Sequence, residues 1–355
     1  MGKQAVFKYI SFMILVVSVL LASFTIFGLF GGTVNPSQGT AMAMLVYVLP
    51  ILIIGNAVML IYWLIRRRWL WLSIPAVTLL CSIPYMGTIY QPGIFSGSAS
   101  SRSGLTVATY NVAKFGREII GFKSEDILGE MKKQGVDVLC IQEYTDDSGN
   151  KQNSDSYKEY FTYMAMGRND MVIYSRYPIG DNQIIDFGPT NNSGMWADID
   201  VNGTKIRVFN VHMETTGFNR ALHQAAKQVA NGNSLEENAL LRTIYGNYTR
   251  GMTVRASQAD IVAAEIAKSE QPVILCGDFN DVPYSYVYNT LLGNLVDGFK
   301  ECGKGLMYTF RGRKMVRIDY IFHDKMLEGE TYYREKLNYS DHYPVFMKLI
   351  MPQEQ

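Results

Sequence analysis

Several apolar, strand-like runs in this sequence end in side chains that bind cations or move protons. Each such residue lies at the C-terminal end of its run or just after it: Asn111 in ATYNVAKF, Glu143 in CIQEY, His212 in FNVHME, Asp278 and Asn280 in CGDFND, Asp319 in RIDYIF, and Asp341 and His342 in SDHYP. Strand ends converge on one edge in layered α/β folds. We therefore expect these residues to form one site.

The composition of this set predicts hydrolysis assisted by a metal ion. Carboxylate and amide oxygens without thiolates suit a hard cation such as Mg²⁺, Mn²⁺ or Ca²⁺. Two histidines with aspartates nearby suit proton transfer. The sequence has no G-x-S-x-G elbow, no phosphate-binding glycine loop followed by Lys-Ser/Thr, and no H-E-x-x-H motif. The expected chemistry is attack by water at phosphorus.

The surrounding runs predict the elements that hold the site. LTVATYNV, VDVLCIQEY, DMVIYS and PVILCGDF are almost continuously apolar, as in strands covered on both faces. Residues 124–135 and 255–269 show helical patterns, the first starting at a serine N-cap and ending at a glycine. Strands with helices outside them favour a layered α/β sandwich.

Residues 217–254 form a long polar connection that we expect to contain one or two helices. Two interpretations remain open. The segment is either a solvated helical cap or an arm over the substrate or membrane surface, using Arg220, Lys227, Arg242 and Arg250.

The first 90 residues predict a membrane domain. Three nearly uncharged stretches, about 9–30, 41–65 and 69–90, are each long enough to cross a bilayer. A cleaved signal peptide would explain only the first stretch, and three in succession without an acidic residue argue against a soluble core. Residues 91–103 are rich in Gly and Ser and predict a linker, and residues 104–355 a single catalytic domain.

Basic residues predict the orientation of these spans. Lys3 and Lys8 precede the first stretch, and three arginines, Arg66 to Arg68, separate the second from the third. Positive loops stay on the cytoplasmic side. We therefore expect an integral protein of the inner or plasma membrane with its catalytic domain on the extracytoplasmic, periplasmic side.

The charge of residues 101–355 argues against binding to duplex nucleic acid, and the cysteines predict buried thiols. The first hundred residues hold five basic and no acidic residues, so 28 of the 33 basic and all 32 acidic residues follow, a net charge of −4. Duplex nucleic-acid binders usually present a basic face. Cys140 and Cys276 lie in apolar runs and are expected to be buried thiols, with a bridge between them left open.

The motif order resembles that of the endonuclease/exonuclease/phosphatase superfamily over roughly residues 104–351. The resemblance is carried by T-Y-N-V, I-Q-E, S-R-Y-P-I, N-V-H, G-D-F-N-D, R-I-D-Y-I-F and S-D-H-Y-P-V. It implies a four-layer α/β sandwich of two packed mixed sheets flanked by helices. The resemblance does not extend to the three transmembrane helices that we expect ahead of this domain. It also implies Mg²⁺ or Mn²⁺ as cofactor.

The resemblance further implies roles for the matching residues. Glu143 resembles the principal metal ligand, with Asn111 beside it and Asp341 as a helper. Asp278 and Asn280 resemble the pair that positions water and the scissile phosphate. His342, paired with Asp319, and His212 resemble the histidines that contact the phosphate or transfer protons. In DNase I-like members a glutamate supports the first histidine, and here the matching segment offers only Glu159, in no recognisable motif.

Four arginines are candidate substrate contacts: Arg176 in SRYPI, and Arg311, Arg313 and Arg317 in RGRKMVR. Exposed turn residues are the competing interpretation for all four. The leading functional hypothesis is a membrane-anchored phosphodiesterase or phosphatase acting on a lipid head group or small phosphoester. A nuclease acting on extracytoplasmic nucleic acid and a catalytically silent binding or sensor domain are the alternatives. No obligate protein partner is inferred.

Overall fold

The structure, a computed structural model, describes residues 3–93, 104–113, 124–144, 156–168, 170–215, 237–311 and 315–351. Contacts group the chain into two units. One comprises Met1–Thr88 with Val282–Asn289, and the other comprises Ile89–Asp281 with Thr290–Gln355.

The N-terminal part of the first unit is helical. Its elements are α1 (Lys3–Gly31), α2 (Pro36–Met44), a 3₁₀ turn (Leu45–Val48), α3 (Leu49–Ile65) and α4 (Trp69–Met86). Three segments are long and apolar enough to cross a membrane: Ala5–Gly31, Pro36–Ile65 and Trp69–Met86. Compared with the spans predicted from the sequence, the second begins earlier, at Pro36, and the third helix ends at Met86 instead of residue 90.

Polar side chains within these apolar helices bond to one another. Asn56 Nδ2 donates to Thr25 Oγ1 at 2.8 Å, and Trp63 Nε1 donates to Ser18 Oγ at 2.9 Å. All four residues are buried. Such pairing is expected where the surroundings offer no water, and it fixes α1 against α3.

The second unit contains every strand among the described residues. In chain order the remaining elements are β1 (Tyr90–Gln91), β2 (Gly104–Asn111), α5 (Ser124–Lys133), β3 (Val138–Gln142), β4 (Tyr163–Met166), β5 (Val172–Ser175), β6 (Ile179–Ile185), β7 (Ser193–Val201), β8 (Thr204–His212), α6 (Glu237–Ile266), β9 (Val273–Asp278), α7 (Tyr286–Leu292), β10 (Val296–Asp297), α8 (Gly298–Cys302), β11 (Gly305–Leu306), β12 (Asp319–His323), β13 (Glu328–Arg334) and β14 (Val345–Ile350).

These strands form two mixed six-stranded sheets and one short pair. The first sheet has the order β13-β14-β2-β3-β5-β4, the second β10-β12-β9-β8-β7-β6, and β1 pairs with β11. The pairs β2–β3 and β8–β9 are parallel, whereas the other pairs are antiparallel. One parallel pair near the middle of each sheet therefore brings two C-terminal strand ends side by side.

Two apolar layers hold the sheets. Between the sheets, Val107 and Cys140 of the first sheet share a buried cluster with Val208, Ile274 and Cys276 of the second. On the outer face of the first sheet, α5 contributes a buried cluster with members at helical spacing: Ile127, Leu128 and Met131. Burial on both faces explains why the central strands read as continuous apolar runs. Cys140 and Cys276 are free, buried thiols.

The helix predictions hold in part. The pattern over residues 124–135 predicted α5. The pattern over 255–269 is the C-terminal half of α6, which begins at Glu237 and carries Arg242 and Arg250. Arg220 and Lys227 lie outside the described residues. Two mixed sheets flanked by helices, with three apolar helices ahead of them, confirm the predicted fold class.

Candidate active site

The two parallel strand pairs deliver four site residues to one edge. Asn111 pairs with Gln142, the residue before Glu143, at the ends of β2 and β3. His212 pairs with Asp278 at the ends of β8 and β9. Asn111 Nδ2 donates to Glu143 Oε1 at 3.2 Å and to Asp278 Oδ2 at 3.0 Å, so it joins the two sheets.

Asp319 and His342 lie at the same edge of the sheets, but each begins or precedes its strand instead of ending it. Strand β12 runs antiparallel to β9, so Asp319 opposes Asp278 at the beginning of β12. His342 precedes β14, and Ser340 Oγ accepts its N–H at 3.1 Å while donating to Asn111 O at 2.7 Å. The expectation that every site residue ends a strand is therefore wrong for these two, because an antiparallel neighbour begins where its partner ends.

Two aspartate–histidine pairs face Asp278. His342 Nδ1 lies 2.9 Å from Asp319 Oδ2 and His212 Nδ1 lies 3.4 Å from Asp170 Oδ2. The Nε2 atoms of His342 and His212 lie 3.8 Å and 4.0 Å from the same oxygen, Asp278 Oδ2. A carboxylate behind Nδ1 holds the proton there and leaves Nε2 to meet a ligand.

Two further residues of the site have an unusual backbone conformation. Glu143 and Asn280 have φ values of 53° and 50°, in the left-handed region that most residues avoid. Asn280 Nδ2 donates to Met213 O at 2.8 Å, and its N–H donates to Asp278 Oδ1 at 2.8 Å. Such strain persists where surrounding bonds hold it, and it clusters at functional sites.

Burial and charge shift the site's titrations. Burial, followed by the charge of Asp319, raises the pKa of Asp278 to about 6. Burial disfavours the protonated form of His342, but Asp319 and Asp278 outweigh it and raise the pKa of His342 to about 10. For His212 the same opposition raises its pKa, with Asp170 the largest favourable contribution. Shifts of this kind, from burial plus specific charges, mark candidate functional sites.

The residues present fit a divalent cation. Asp278, Asp319 and His342 each offer a ligand atom, and these atoms lie within 4.8 Å of one another. Glu143 adds a carboxylate 3.8 Å from His212 Nε2. Nε2 of buried His212 lacks a hydrogen bond to any part of the chain that the structure describes. Buried acidic oxygens with an unsatisfied ring nitrogen beside them are typical of a site that binds an ion and its ligand.

The exposed members of the predicted set lie at the rim. Asp341 is exposed, and its charge contributes to the raised pKa of His342. The Arg311 N–H donates to Asp341 O at 2.7 Å, and Arg311 Nη1 donates to Ser340 O at 2.9 Å. Arg311 thus braces the loop that carries His342, through backbone oxygens.

Two other predicted arginines do not belong to this cluster. Arg176 follows β5, beside the start of β3, and binds Asp137 at 3.2 Å at the opposite edge of the sheet from Glu143. Arg317 is 2% exposed and donates to Asp297 Oδ2 at 2.8 Å. Its basic neighbours in the sequence predicted an exposed hairpin residue, but its ion-pair partner Asp297 lies twenty positions earlier in the chain. Arg313 lies outside the described residues.

Asp170 was not predicted from the sequence as a site residue. Its only signal is a carboxylate directly before the apolar run MVIYS, at the beginning of β5, where an antiparallel neighbour of β3 must start. Asp170 supplies the carboxylate behind His212 that the segment around Glu159 was expected to lack.

A second residue pair behind the site was also not foreseen. Arg255 of α6 is fully buried and donates to Asp281 Oδ2 at 3.1 Å and to Glu214 O at 3.0 Å. The ion pair ties the segments that follow His212 and Asn280 to α6.

Similar proteins include solved structures and one curated relative. A structure of an endonuclease/exonuclease/phosphatase from Beutenbergia cavernae is 18% identical, with a TM-score of 0.52, and the match covers 71% of this chain and 72% of that one. One from Bacteroides vulgatus is 16% identical, also with a TM-score of 0.52, covering 70% and 100%. At these identities the likeness concerns the fold.

The curated relative is the CCR4-Not complex 3'-5'-exoribonuclease subunit Ccr4 of Phaeosphaeria nodorum. It is 24% identical over 235 residues, which cover 51% of this chain and 39% of that protein. This chain thus spans about two fifths of the relative's length.

Two family models match separate regions. Residues 11–89 match a domain of unknown function, DUF8431. Residues 108–342 match the Endonuclease/Exonuclease/phosphatase family, a range that includes every site residue of the two aspartate–histidine pairs. With its fold and its strand-end residues in agreement, the chain belongs to the endonuclease/exonuclease/phosphatase family.

Proposed function

We propose that this protein is a membrane-anchored, divalent-metal-dependent hydrolase of phosphoric esters, acting on a lipid head group or a small phosphoester. The observation that carries the proposal is the pair of histidine Nε2 atoms that meet Asp278 Oδ2, each backed by a carboxylate. Paired proton-transfer groups around a buried carboxylate suit attack by water on a polarised ester.

The chain's residues divide the work. Asp278 and Asn280 orient the attacking water and the scissile phosphate, and one histidine Nε2 accepts the proton that water loses. The other Nε2 donates to a phosphoryl or leaving oxygen. Asp170 and Asp319 fix the orientation of the two rings. Glu143, Asp278 and Asp319 would hold Mg²⁺ or Mn²⁺, with Asn111 beside them, and the ion would neutralise charge that develops on the phosphoryl oxygens.

Metal dependence is tested on the full chain in detergent. Protein treated with chelator is assayed with bis-p-nitrophenyl phosphate in ¹⁸O-labelled water, before and after addition of Mg²⁺ or Mn²⁺. We expect no turnover without metal, recovery with it, and ¹⁸O in the phosphate product. Turnover that persists in chelator, or no turnover with any of these ions, would contradict the proposal.

Membrane anchoring and orientation form a second part of the proposal. Three apolar helices support anchoring, and Lys3, Lys8 and the arginines at 66–68 favour a cytoplasmic N-terminus. Reporter fusions after residue 351 test this. An active alkaline phosphatase fusion is expected, and an inactive one, with a cytoplasmic reporter active at the same point, would reverse the assignment.

A nuclease remains the second candidate, favoured by the named activity of the Ccr4 relative. The net charge of −4 after residue 100 weighs against it. Single-stranded RNA and DNA oligonucleotides assayed beside a phospholipid panel separate the two candidates. Faster turnover of the oligonucleotides than of every lipid would favour the nuclease.

A further inference from the structure

The short β1–β11 pair lies directly after the last apolar helix. Helix α4 ends at Met86, and Tyr90 pairs with Leu306 while Gln91 pairs with Gly305. Met307 N–H donates to Ile89 O at 2.9 Å. A residue spans at most about 3.6 Å, so Tyr90 lies within about 14 Å of the end of α4. Strand β11 is therefore paired with the residues that directly follow α4 in the chain.

The residues after β11 lead to the catalytic histidine. Tyr343 N–H donates to Thr309 O at 2.7 Å. The ring centres of Phe310 and His342 are 5.1 Å apart, and the two residues form an isolated β-bridge. Residues 305–311 thus run from the strand paired with β1 to the loop that carries His342.

The surface at β1 and β11 has the composition of a membrane interface. Tyr90 and Leu306 are 56% and 54% exposed, and their direct pairing places both side chains on one face. Lys304 is exposed beside them. Single exposed apolar residues are ordinary. A tyrosine opposed to a leucine, with a lysine adjacent, is typical of the head-group region.

We infer that this rim surface, formed by Tyr90, Lys304 and Leu306, contacts the head-group region of the bilayer that holds the apolar helices. The loop of His342 then acts at head-group level, and the substrate is the phosphoester of a phospholipid head group in that bilayer. The inference rests on the proposed function and on the proposed anchoring. The lysine complements the phosphates of that layer, and the apolar side chains reach its acyl boundary.

Contact with lipid is tested by photo-crosslinking. A photo-reactive amino acid replaces Leu306 in the full chain, reconstituted in vesicles of equal parts phosphatidylglycerol and phosphatidylcholine. The matched control places it at Met326, which is 63% exposed beyond the far end of β12. Mass spectrometry is expected to find lipid adducts at 306 and not at 326. No adduct at 306 would overturn the inference.

The lipid substrate is tested by a ratio of activities. Release of head group from these vesicles is compared with hydrolysis of bis-p-nitrophenyl phosphate, for Leu306→Glu and for Met326→Glu. We expect the ratio to fall about tenfold in Leu306→Glu, the effect of losing one partly buried leucine contact, and to be unchanged in Met326→Glu.

The outcomes separate this inference from the proposed function. An unchanged ratio in Leu306→Glu, or no head-group release by the unmodified chain, overturns the lipid inference. Hydrolysis of the soluble ester leaves the proposed function standing in either case. If neither the lipid nor the soluble ester is hydrolysed in a metal-dependent way, the lipid inference and the proposed function are both overturned.

Discussion

Asp278 concentrates the chemistry of the site in one carboxylate. It is 1% exposed, and its Oδ2 accepts a hydrogen bond from Asn111 Nδ2 at 3.0 Å. It lies opposite Asp319 in the pairing of β9 with β12. Two buried carboxylates side by side repel each other, so the site favours a proton or a cation between them. This need for a proton or a cation distinguishes Asp278 from a carboxylate that only caps the end of a strand. So do the two histidine Nε2 atoms near the same oxygen.

Asp170 is expected to act through His212. Asp170→Asn should lower kcat roughly 10–100-fold with little change in KM, because the carboxylate orients the ring and favours its protonated form. Steady-state kinetics with bis-p-nitrophenyl phosphate measure this. Asp186→Asn is the matched control, since Asp186 pairs with Arg168 on the surface. Equal activity of Asp170→Asn and the control would remove Asp170 from the site.

Strand order converts scattered sequence motifs into this arrangement. The parallel pairs β2–β3 and β8–β9 bring their C-terminal ends together, and antiparallel β12 adds the beginning of a strand. Gly277, at φ 144°, lets β9 approach β8 so closely that a Cβ would collide with Val211 O. Site geometry therefore depends on backbone registers more than on any one contact.

Thr309 is expected to position the Asp319–His342 pair. Its Oγ1 accepts from Ile318 N–H at 3.0 Å and from Asp319 N–H at 3.1 Å, and its carbonyl accepts from Tyr343 N–H. Thr309→Val should cost about 1–3 kcal/mol of unfolding free energy for each buried amide left without an acceptor, and it should lower kcat. Thr309→Ser, which keeps the hydroxyl, should restore both. Denaturant unfolding and kinetics on the two variants check this, and a Ser variant as damaged as Val would contradict it.

Local sequence predicted the strands and most of the site, but it could not supply partners distant in the chain. Continuous apolar runs ending in Asn111, Glu143, His212 and Asp278 carry their own signal. Arg317 does not, because its ion-pair partner Asp297 comes from another element. Asp170 was missed for the same reason, since only the pairing of β3 with β5 places it behind His212.

The chain as a whole combines an apolar helical segment with an acidic α/β domain. Three helices could cross a membrane, and the residues after position 100 carry a net charge of −4. A negative domain beside anionic lipid would be repelled, so we expect the rim surface and a bound cation to supply local positive charge. Because the site contains buried carboxylates, we also expect the free energy of unfolding to depend on bound metal and on pH.

Metal should stabilise the full chain more at pH 8 than at pH 5. The pKa of Asp278, about 6 in the folded chain, is above its ordinary value of about 4. Its protonation therefore contributes stability that is complete below pH about 4 and lost as pH rises through about 6. A divalent cation replaces that proton, so its effect grows once the proton has left. Thermal unfolding with and without Mg²⁺ measures this, and a Mg²⁺ effect larger at pH 5 would contradict it.

The central claim is that the groups around Asp278 form a hydrolytic site for phosphoric esters. It is tested most directly by Mn²⁺-dependent turnover of bis-p-nitrophenyl phosphate by the full chain, by His342→Ala and Asp278→Asn, and by Asp181→Asn, an exposed carboxylate on β6. We predict losses of about 10²–10⁴-fold in the first two variants and unchanged turnover in the third. Turnover in His342→Ala and Asp278→Asn equal to that of the unmodified chain would contradict the account.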